Sequence, residues 1–136
     1  MADTLKLEIV TPEGTIYSED VSMVTLPAVV GPIGVYPQHV RLITQMVAGE
    51  MIVLKDGRDS YLAVGEGLVE VTGDRVAIVT DMAVAAGSID EANAEEARQR
   101  AETRLREKVS AEELASVNAA LARSLAQLQV KRRRKV

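Results

Sequence analysis

The chain has 136 residues with 47% hydrophobic composition, enough for one sizeable core and a small extension, and it contains no cysteine and a single histidine, His39. These counts exclude a disulfide framework, a thiolate metal site and a histidine-built zinc site, and no apolar run approaches the roughly 20 residues needed to span a bilayer. The net charge of −4 is unevenly spread. Residues 1–86 carry 5 Lys/Arg against 12 Asp/Glu and residues 87–136 carry 11 against 8, so an acidic head bears a basic tail.

The opening Met1-Ala2-Asp3-Thr4 lacks the basic and apolar regions of a secretory leader, which predicts a cytoplasmic protein. Leu5, Leu7 and Ile9 then alternate with Lys6, Glu8 and Val10, the period of a half-buried strand, and Thr11-Pro12-Glu13-Gly14 closes it with turn chemistry. Further apolar segments run over 21–26, 35–43, 45–47, 51–54, 61–64, 68–71 and 76–79. Glu19-Asp20, Lys55-Asp56-Gly57 and Gly73-Asp74 supply turns between several of them. Short valine-rich strands at this spacing predict an antiparallel sandwich. Its core must be aliphatic, because the chain has no Phe or Trp.

Two stretches interrupt that pattern. Gly31-Pro32-Ile33-Gly34-Val35-Tyr36-Pro37 places two glycines and two prolines within seven residues, which predicts a sharply turning loop anchored by Ile33, Val35 and Val40 to Ile43. Gly65-Glu66-Gly67 is followed by a strand pattern, Leu68-Val69-Glu70-Val71, and not by the helix a phosphate-binding loop requires. It predicts a strand bend or bulge. His39 has no Ser, Cys or Asp partner near it in sequence and is read as a packing or hydrogen-bonding residue of the loop, and no catalytic or metal-binding constellation is present.

All four prolines, all nine glycines and the three tyrosines lie at or before Gly87. Beyond it, Ser88-Ile89-Asp90-Glu91 reads as a capping box that starts a helix whose narrow apolar stripe is Ala94, Ala97, Ala101 and Leu105. Glu96 with Arg100 and Glu102 with Arg106 are oriented i,i+4 pairs on its exposed side. A second box, Ser110-Ala111-Glu112-Glu113, starts a second helix with the stripe Leu114, Val117, Leu121, Leu125 and Leu128. So short a connection predicts an antiparallel hairpin. A buried alanine contributes only about 0.8 kcal/mol, so the hairpin is marginal alone and needs the head or a partner to fold against. The run Lys131-Arg132-Arg133-Arg134-Lys135 has no aromatic residue for base stacking, which favours a solvated tail or an acidic protein surface over nucleic acid. The resulting fold class is α+β: an N-terminal antiparallel β-sandwich over 1–86 followed by a C-terminal two-helix antiparallel hairpin over 87–136.

The order G-x-I-G-V-Y-P-x-H-x-x-L-I-T from Gly31 to Thr44 resembles the signature of the epsilon subunit of F-type ATP synthases, called delta in mitochondria. The segment Gly65 to Asp81 resembles that family's last sandwich hairpin, and Ile89-Asp90-Glu91-Ala92 the start of its helical region. The resemblance implies a non-catalytic rotor subunit of the central stalk, peripheral on the cytoplasmic face of the bacterial inner membrane and associated with it only through the complex. The sandwich would bind the gamma subunit and the c-ring and help to couple proton flow to ATP synthesis. Gly31, Pro32, Ile33, Gly34, Tyr36, Gln38, His39 and Arg41 would form the contact loop, which departs from the family pattern at Gln38, usually glycine, and Arg41, usually proline. The hairpin would extend toward the alpha and beta subunits and inhibit ATP hydrolysis, with Arg123, Lys131, Arg132, Arg133 and Arg134 meeting an acidic surface on beta. No cofactor is implied. ATP enters only as a weak regulatory ligand near Ile89, Asp90, Asn93, Ala94, Arg100 and Arg123, because Asn93 stands where the family's nucleotide motif has arginine. The alternative from composition alone is a free-standing sandwich adaptor whose basic tail binds nucleic acid or an anionic membrane; the epsilon reading includes no nucleic-acid partner.

Overall fold

The computed structural model describes residues 3–134, with Val40 described by its backbone alone. Expectations resting on Met1, Ala2, Lys135 and the Val40 side chain lie outside the described residues. The head runs β1 (Leu5–Thr11), β2 (Gly14–Val21), β3 (Met23–Ala28), β4 (Gly31–Val35), β5 (His39–Met46), β6 (Gly49–Lys55), β7 (Arg58–Val64), β8 (Gly67–Gly73), β9 (Arg75–Thr80) and β10 (Ala83–Ala85). A 3-10 turn over Ala86–Ser88 leads into α1 (Glu91–Leu105) and α2 (Ala111–Arg133).

The strands hydrogen-bond in the order β10-β7-β6-β3-β5-β8-β9-β1-β2, with β4 on the free edge of β3. At the junction of β3 and β5 only Ala28 and Met46 pair, so the path folds there into two layers, β4-β3-β6-β7-β10 and β5-β8-β9-β1-β2. Every pairing is antiparallel except β1 with β9, which run parallel from Lys6↔Arg75 to Val10↔Val79. The period of two puts Leu5, Leu7 and Ile9 inside with Val69, Val71, Val76 and Ile78, facing Val24, Leu26, Met51, Val53, Leu62 and Val64 from the other layer. The core is aliphatic, as the absence of Phe and Trp requires.

The stretch read as a loop from Gly31 onward is more regular than expected. Gly31 to Val35 pairs residue for residue with Val24 to Ala28, and only Tyr36, Pro37 and Gln38 form the turn before β5. Proline is tolerated at Pro32 because β4 is an edge strand. Ile33 and Leu42 pack on the core and Val35 is buried, but Ile43 points outward. Strands β2 and β10 were not anticipated, since Gly14–Val21 buries only Val21 and Ala83–Ala85 is three residues long.

Gly65-Glu66-Gly67 is the expected bend. A Cβ at Gly67 would lie 2.2 Å from the Val79 carbonyl oxygen, and one at Gly65 would lie 1.7 Å from Asp81 Oδ1. Close backbone approach and the seating of the Asp81 carboxylate therefore both demand glycine. The Thr80 hydroxyl donates to the Glu66 carbonyl at 2.8 Å and closes the bend.

Both helices begin with a side-chain cap, but the first does so two residues later than the capping box suggests. Asp90, not Ser88, is the N-cap: its carboxylate accepts from the Asn93 backbone at 3.1 Å and from the Asn93 side chain at 3.0 Å, while Ser88 ends the 3-10 turn. Ser110 caps α2 as read, accepting from Glu113 N–H at 3.2 Å. Of the expected ion pairs, Arg100 stands 4.0 Å from Glu96, but Glu102 is taken by Arg98.

On α2 the buried side chains are Ser124, Ala126, Leu128 and Val130, whereas Leu114 and Leu125 are exposed. The leucine stripe is thus only partly the packing face. The helix also lies on the outer face of β6 and β7, where small residues allow close approach and Ala126 and Val130 meet Ala63, Ala86 and Ile89. The buried Ser124 hydroxyl is satisfied by the Ala120 carbonyl one turn back.

One tie between the helices is pH-dependent. Glu95 bonds Arg98 within α1 and Arg132 on α2, and the Arg98 bond and charge first, then a bond from Gln99 and the charge of Arg132, lower its carboxyl from 4.5 to about 2. A depressed carboxyl stabilises the folded state above its unfolded value, and the contribution disappears as pH falls through the folded value. Melting of the helices in the native chain should therefore exceed that of Glu95→Gln at pH 6, with the difference vanishing near pH 2. Circular dichroism at 222 nm measures this.

Candidate functional site

Of the proposed contact residues, Tyr36, Gln38, His39 and Arg41 gather at one end of the sandwich, whereas Gly31 and Pro32 lie at the opposite end of β4, where Ala28 pairs with both Gly31 and Met46. The turn Tyr36-Pro37-Gln38 leaves Tyr36 exposed to solvent, as is Gly34 two residues before it. Gln38 has φ of 64°, a left-handed conformation that costs a side-chain-bearing residue about 1–2 kcal/mol. Its backbone N–H donates to Asp74 Oδ1 at 2.9 Å, so the β8–β9 turn holds the loop in that conformation. Arg41 is exposed where the register of β5 against β8 slips between His39 and Leu42, a bulge that accommodates residues not in the ladder. His39 is half-buried and pairs with Gly73. Gln38→Gly should relieve the left-handed strain and, after the larger chain entropy of glycine, raise stability by about 0.5–1 kcal/mol. A thermal melt should show this as a rise of a few degrees.

Toward the other end of the strands, the outer face of β5, β8, β9 and β1 carries an apolar stripe. Leu68 is opposite Val79, and Val79 opposite Val10; Ile43 stands one diagonal step from Leu68. Ile43, Leu68 and Val79 are 72%, 56% and 61% exposed. Val29, Val30 and Val47 extend the apolar surface at the far end, where Val29, Val47, Leu68, Glu66 and Asp81 line a shallow recess. Large aliphatic side chains aligned across strands and facing water mark a surface that another molecule covers.

The basic tail is engaged within the chain. Arg133 and Arg134 bond Glu50 of β6, Arg132 bonds Glu91 and Glu95 of α1, and Arg123 bonds Asp81 at 2.9 Å. Lys131 reaches the Ala86 carbonyl at 3.4 Å. The arginines on which the adaptor reading depends are therefore paired with carboxylates of the same chain. Glu50 was missed in sequence because it stands within an alternating strand pattern, with its outward position as the only signal.

The residues matched to the family's nucleotide motif are only partly brought together. Ile89 and Ala94 are buried, Asp90 and Asn93 are bound to each other in the cap, and Arg123 faces Asp81. Arg100 stands on α1 with its side chain 73% exposed beside Glu96. Among the described residues, no group of three or more His, Asp or Glu side chains is placed to hold a metal ion. No helix of the described chain is long and apolar enough to cross a membrane.

Comparison with known proteins matches both parts of the chain. The model of the ATP synthase delta/epsilon chain beta-sandwich domain matches residues 4–86, and that of the delta/epsilon chain long alpha-helix domain matches residues 88–132. The chain belongs to the ATP synthase delta/epsilon family. It is 41% identical over 131 residues to the ATP synthase epsilon chain of Herpetosiphon aurantiacus, covering 96% of each. It is likewise 41% identical over 102 residues to that of Bacillus subtilis, covering 75% of this chain and 77% of that one. A chain of the Euglena gracilis mitochondrial ATP synthase shares its fold, with a TM-score of 0.74 at 21% identity over 93% of this chain and 79% of that one. As a delta/epsilon chain, the protein is a non-catalytic subunit of an enzyme complex.

Proposed function

We propose that the protein is a central-stalk subunit of a bacterial F-type ATP synthase, held peripherally at the cytoplasmic face of the inner membrane and coupling proton translocation to ATP synthesis. The observation that carries this reading is the exposed aliphatic stripe Ile43, Leu68, Val79 and Val10, on the same sheet as the strand that follows the Tyr36–Gln38 turn. The stripe suits a rotor partner, gamma, and the turn suits the c-ring. The loop lies at one end of β5, whose other end beside Gly67 is seven steps or about 23 Å away, and the hairpin docks on β6 and β7 with Arg123 reaching Asp81 near that far end. That separation supports two roles, coupling at one end and regulation at the other. The hairpin inhibits ATP hydrolysis when it leaves the head and reaches alpha and beta. Co-expression with gamma tests the reading: a stable gamma complex that recruits the c-ring supports it, and failure to bind gamma overturns it.

ATP would be at most a weak regulatory ligand. Arginine at position 93 would supply a guanidinium fork for phosphate, whereas Asn93 spends its amide on Asp90. Arg123 is also committed to Asp81. Loss of one charge-assisted contact worth about 1.5–3 kcal/mol weakens binding by about one to two orders of magnitude. Calorimetric titration should show weak or no binding to the native chain and tighter binding to Asn93→Arg. Micromolar affinity in the native chain, or no gain in the variant, would contradict this assignment.

A further inference from the structure

The hairpin rests on the head through a face of α2 that has arginines at both ends and small residues between them. Arg123, Gln127 and Val130 follow at steps of 4 and 3 on one side of the helix, and Arg134, its C-cap, is held at the end of that side by its N–H to the Val130 carbonyl at 2.8 Å. In the middle, Ala126 and Val130 cover Ala63 and Ala86, and Gln127 reaches the Met82 sulfur at 3.0 Å. Three of those four apolar side chains are alanines, so burial alone holds the helix weakly.

The polar ends are built more firmly. Glu50 extends from the outer face of β6, on the same side as Tyr61 and Ala63 of β7, with its side chain only 9% exposed. Arg134 binds it through two parallel bonds, Nε to Oε2 at 3.0 Å and Nη2 to Oε1 at 3.1 Å, and lies over the Tyr61 ring with its guanidinium carbon 4.0 Å from the centroid. Arg133 adds a third bond to Glu50 at 3.3 Å. Bidentate pairing, ring stacking and exclusion of water distinguish this from a surface ion pair of little consequence. At the other end, the Asp81 carboxylate occupies the space left by the missing side chain of Gly65 and bonds Arg123.

We propose that Glu50 and Asp81 form a two-point ionic clasp that holds the helical hairpin against the head and, by engaging Arg134, Arg133 and Arg123, withholds those side chains from an acidic partner. The clasp makes docking and partner contact mutually exclusive, because the same guanidinium groups serve both. It deepens the regulatory role proposed above by naming the residues that set the docked population. Gly65 belongs to the device, since any side chain there displaces the Asp81 carboxylate.

The absence of cysteine allows a direct test on the intact chain. Spin labels on cysteines introduced at exposed Ser60 of β7 and Asn118 of α2 report the docked distance by pulsed electron resonance. Glu50→Gln and Arg134→Gln should each raise the undocked fraction about tenfold, the effect of losing one charge-assisted interaction, and Asp81→Asn, whose pair with Arg123 is more exposed, should raise it by about twofold to fivefold. High salt should act in the same direction on the native chain. Arg134→Gln attacks the clasp from the tail, so its effect cannot come from damage to the head. An unchanged distance distribution in the Glu50→Gln, Asp81→Asn double variant would overturn the clasp. In the assembled synthase, Glu50→Gln should deepen inhibition of hydrolysis. Undocking in the isolated chain without that deepening would leave the clasp standing and remove the inhibitory role instead.

Discussion

Aspartate at both Leu68 and Val79 is expected to lower the affinity for gamma at least about 100-fold while leaving the head folded. The two side chains oppose each other across β8 and β9 and are more than half exposed, so they contribute little to the core. Covering their remaining surface is worth about 1 kcal/mol each, and an unpaired carboxylate buried in an interface costs several more. At about 1.4 kcal/mol per tenfold, the two lost contacts with even a small part of the carboxylate cost exceed about 3 kcal/mol, which sets the stated lower bound. The folded state loses one cross-strand pair and gains two like charges directly opposite each other, about 1–2 kcal/mol together, so melting should fall by several degrees with the head still folded. Co-purification and titration with gamma measure the first effect and a thermal melt the second. Retained gamma affinity would place the rotor contact on another face.

A chain ending at Ala86 is expected to keep gamma binding and coupling while ATP hydrolysis by the assembled enzyme rises several-fold to the uninhibited rate. The truncation keeps all ten strands and the whole aliphatic core of the head. It uncovers mainly Ala63, Tyr61, Met82 and Val84, and it leaves Glu50 free to hydrate. Head and hairpin are therefore proposed as separable units with a boundary at residues 86–87. Alanine at Arg132, Arg133 and Arg134 should also relieve inhibition if, as proposed, these charges meet beta when the hairpin extends. It should at the same time loosen docking, in which Arg133 and Arg134 take part. The Glu50→Gln change affects docking alone and so should move hydrolysis in the opposite direction. An unfolded truncation, or hydrolysis unchanged by it, would refute the division of roles.

Local pattern carried much of the fold because alternation and capping are properties of neighbouring residues. Leu5, Leu7 and Ile9 are buried as their period requires, and Ser110 caps α2 through Glu113 N–H. Asp90 was harder to place. Ser88 and Asp90 both have capping side chains, and the 3-10 turn over Ala86–Ser88 decides between them by bringing the chain into α1 two residues later. Strand β2 was illegible because six of its eight residues are exposed and it leaves almost no alternation to read. The contact loop was visible as a cluster of glycine and proline, yet pairing with β3 turned its first half into an edge strand.

The sequence by itself determined the compositional break at Gly87, the aliphatic core, the antiparallel hairpin and, through the Gly31 to Thr44 motif, the family. These depend on composition and on spacings of a few residues, within which backbone geometry is nearly independent of the rest of the chain. Only the tertiary structure decided that Gln38 adopts a left-handed conformation under the hold of Asp74, and that Leu68, Val79 and Val10 align in one exposed stripe. It likewise paired Glu50 with Arg134 and Asp81 with Arg123, across 84 and 42 residues. Such contacts depend on strand register and on the side on which a helix docks. Both are settled by the packing of the whole head, where a shift of one residue would turn every side chain of a strand to the opposite face.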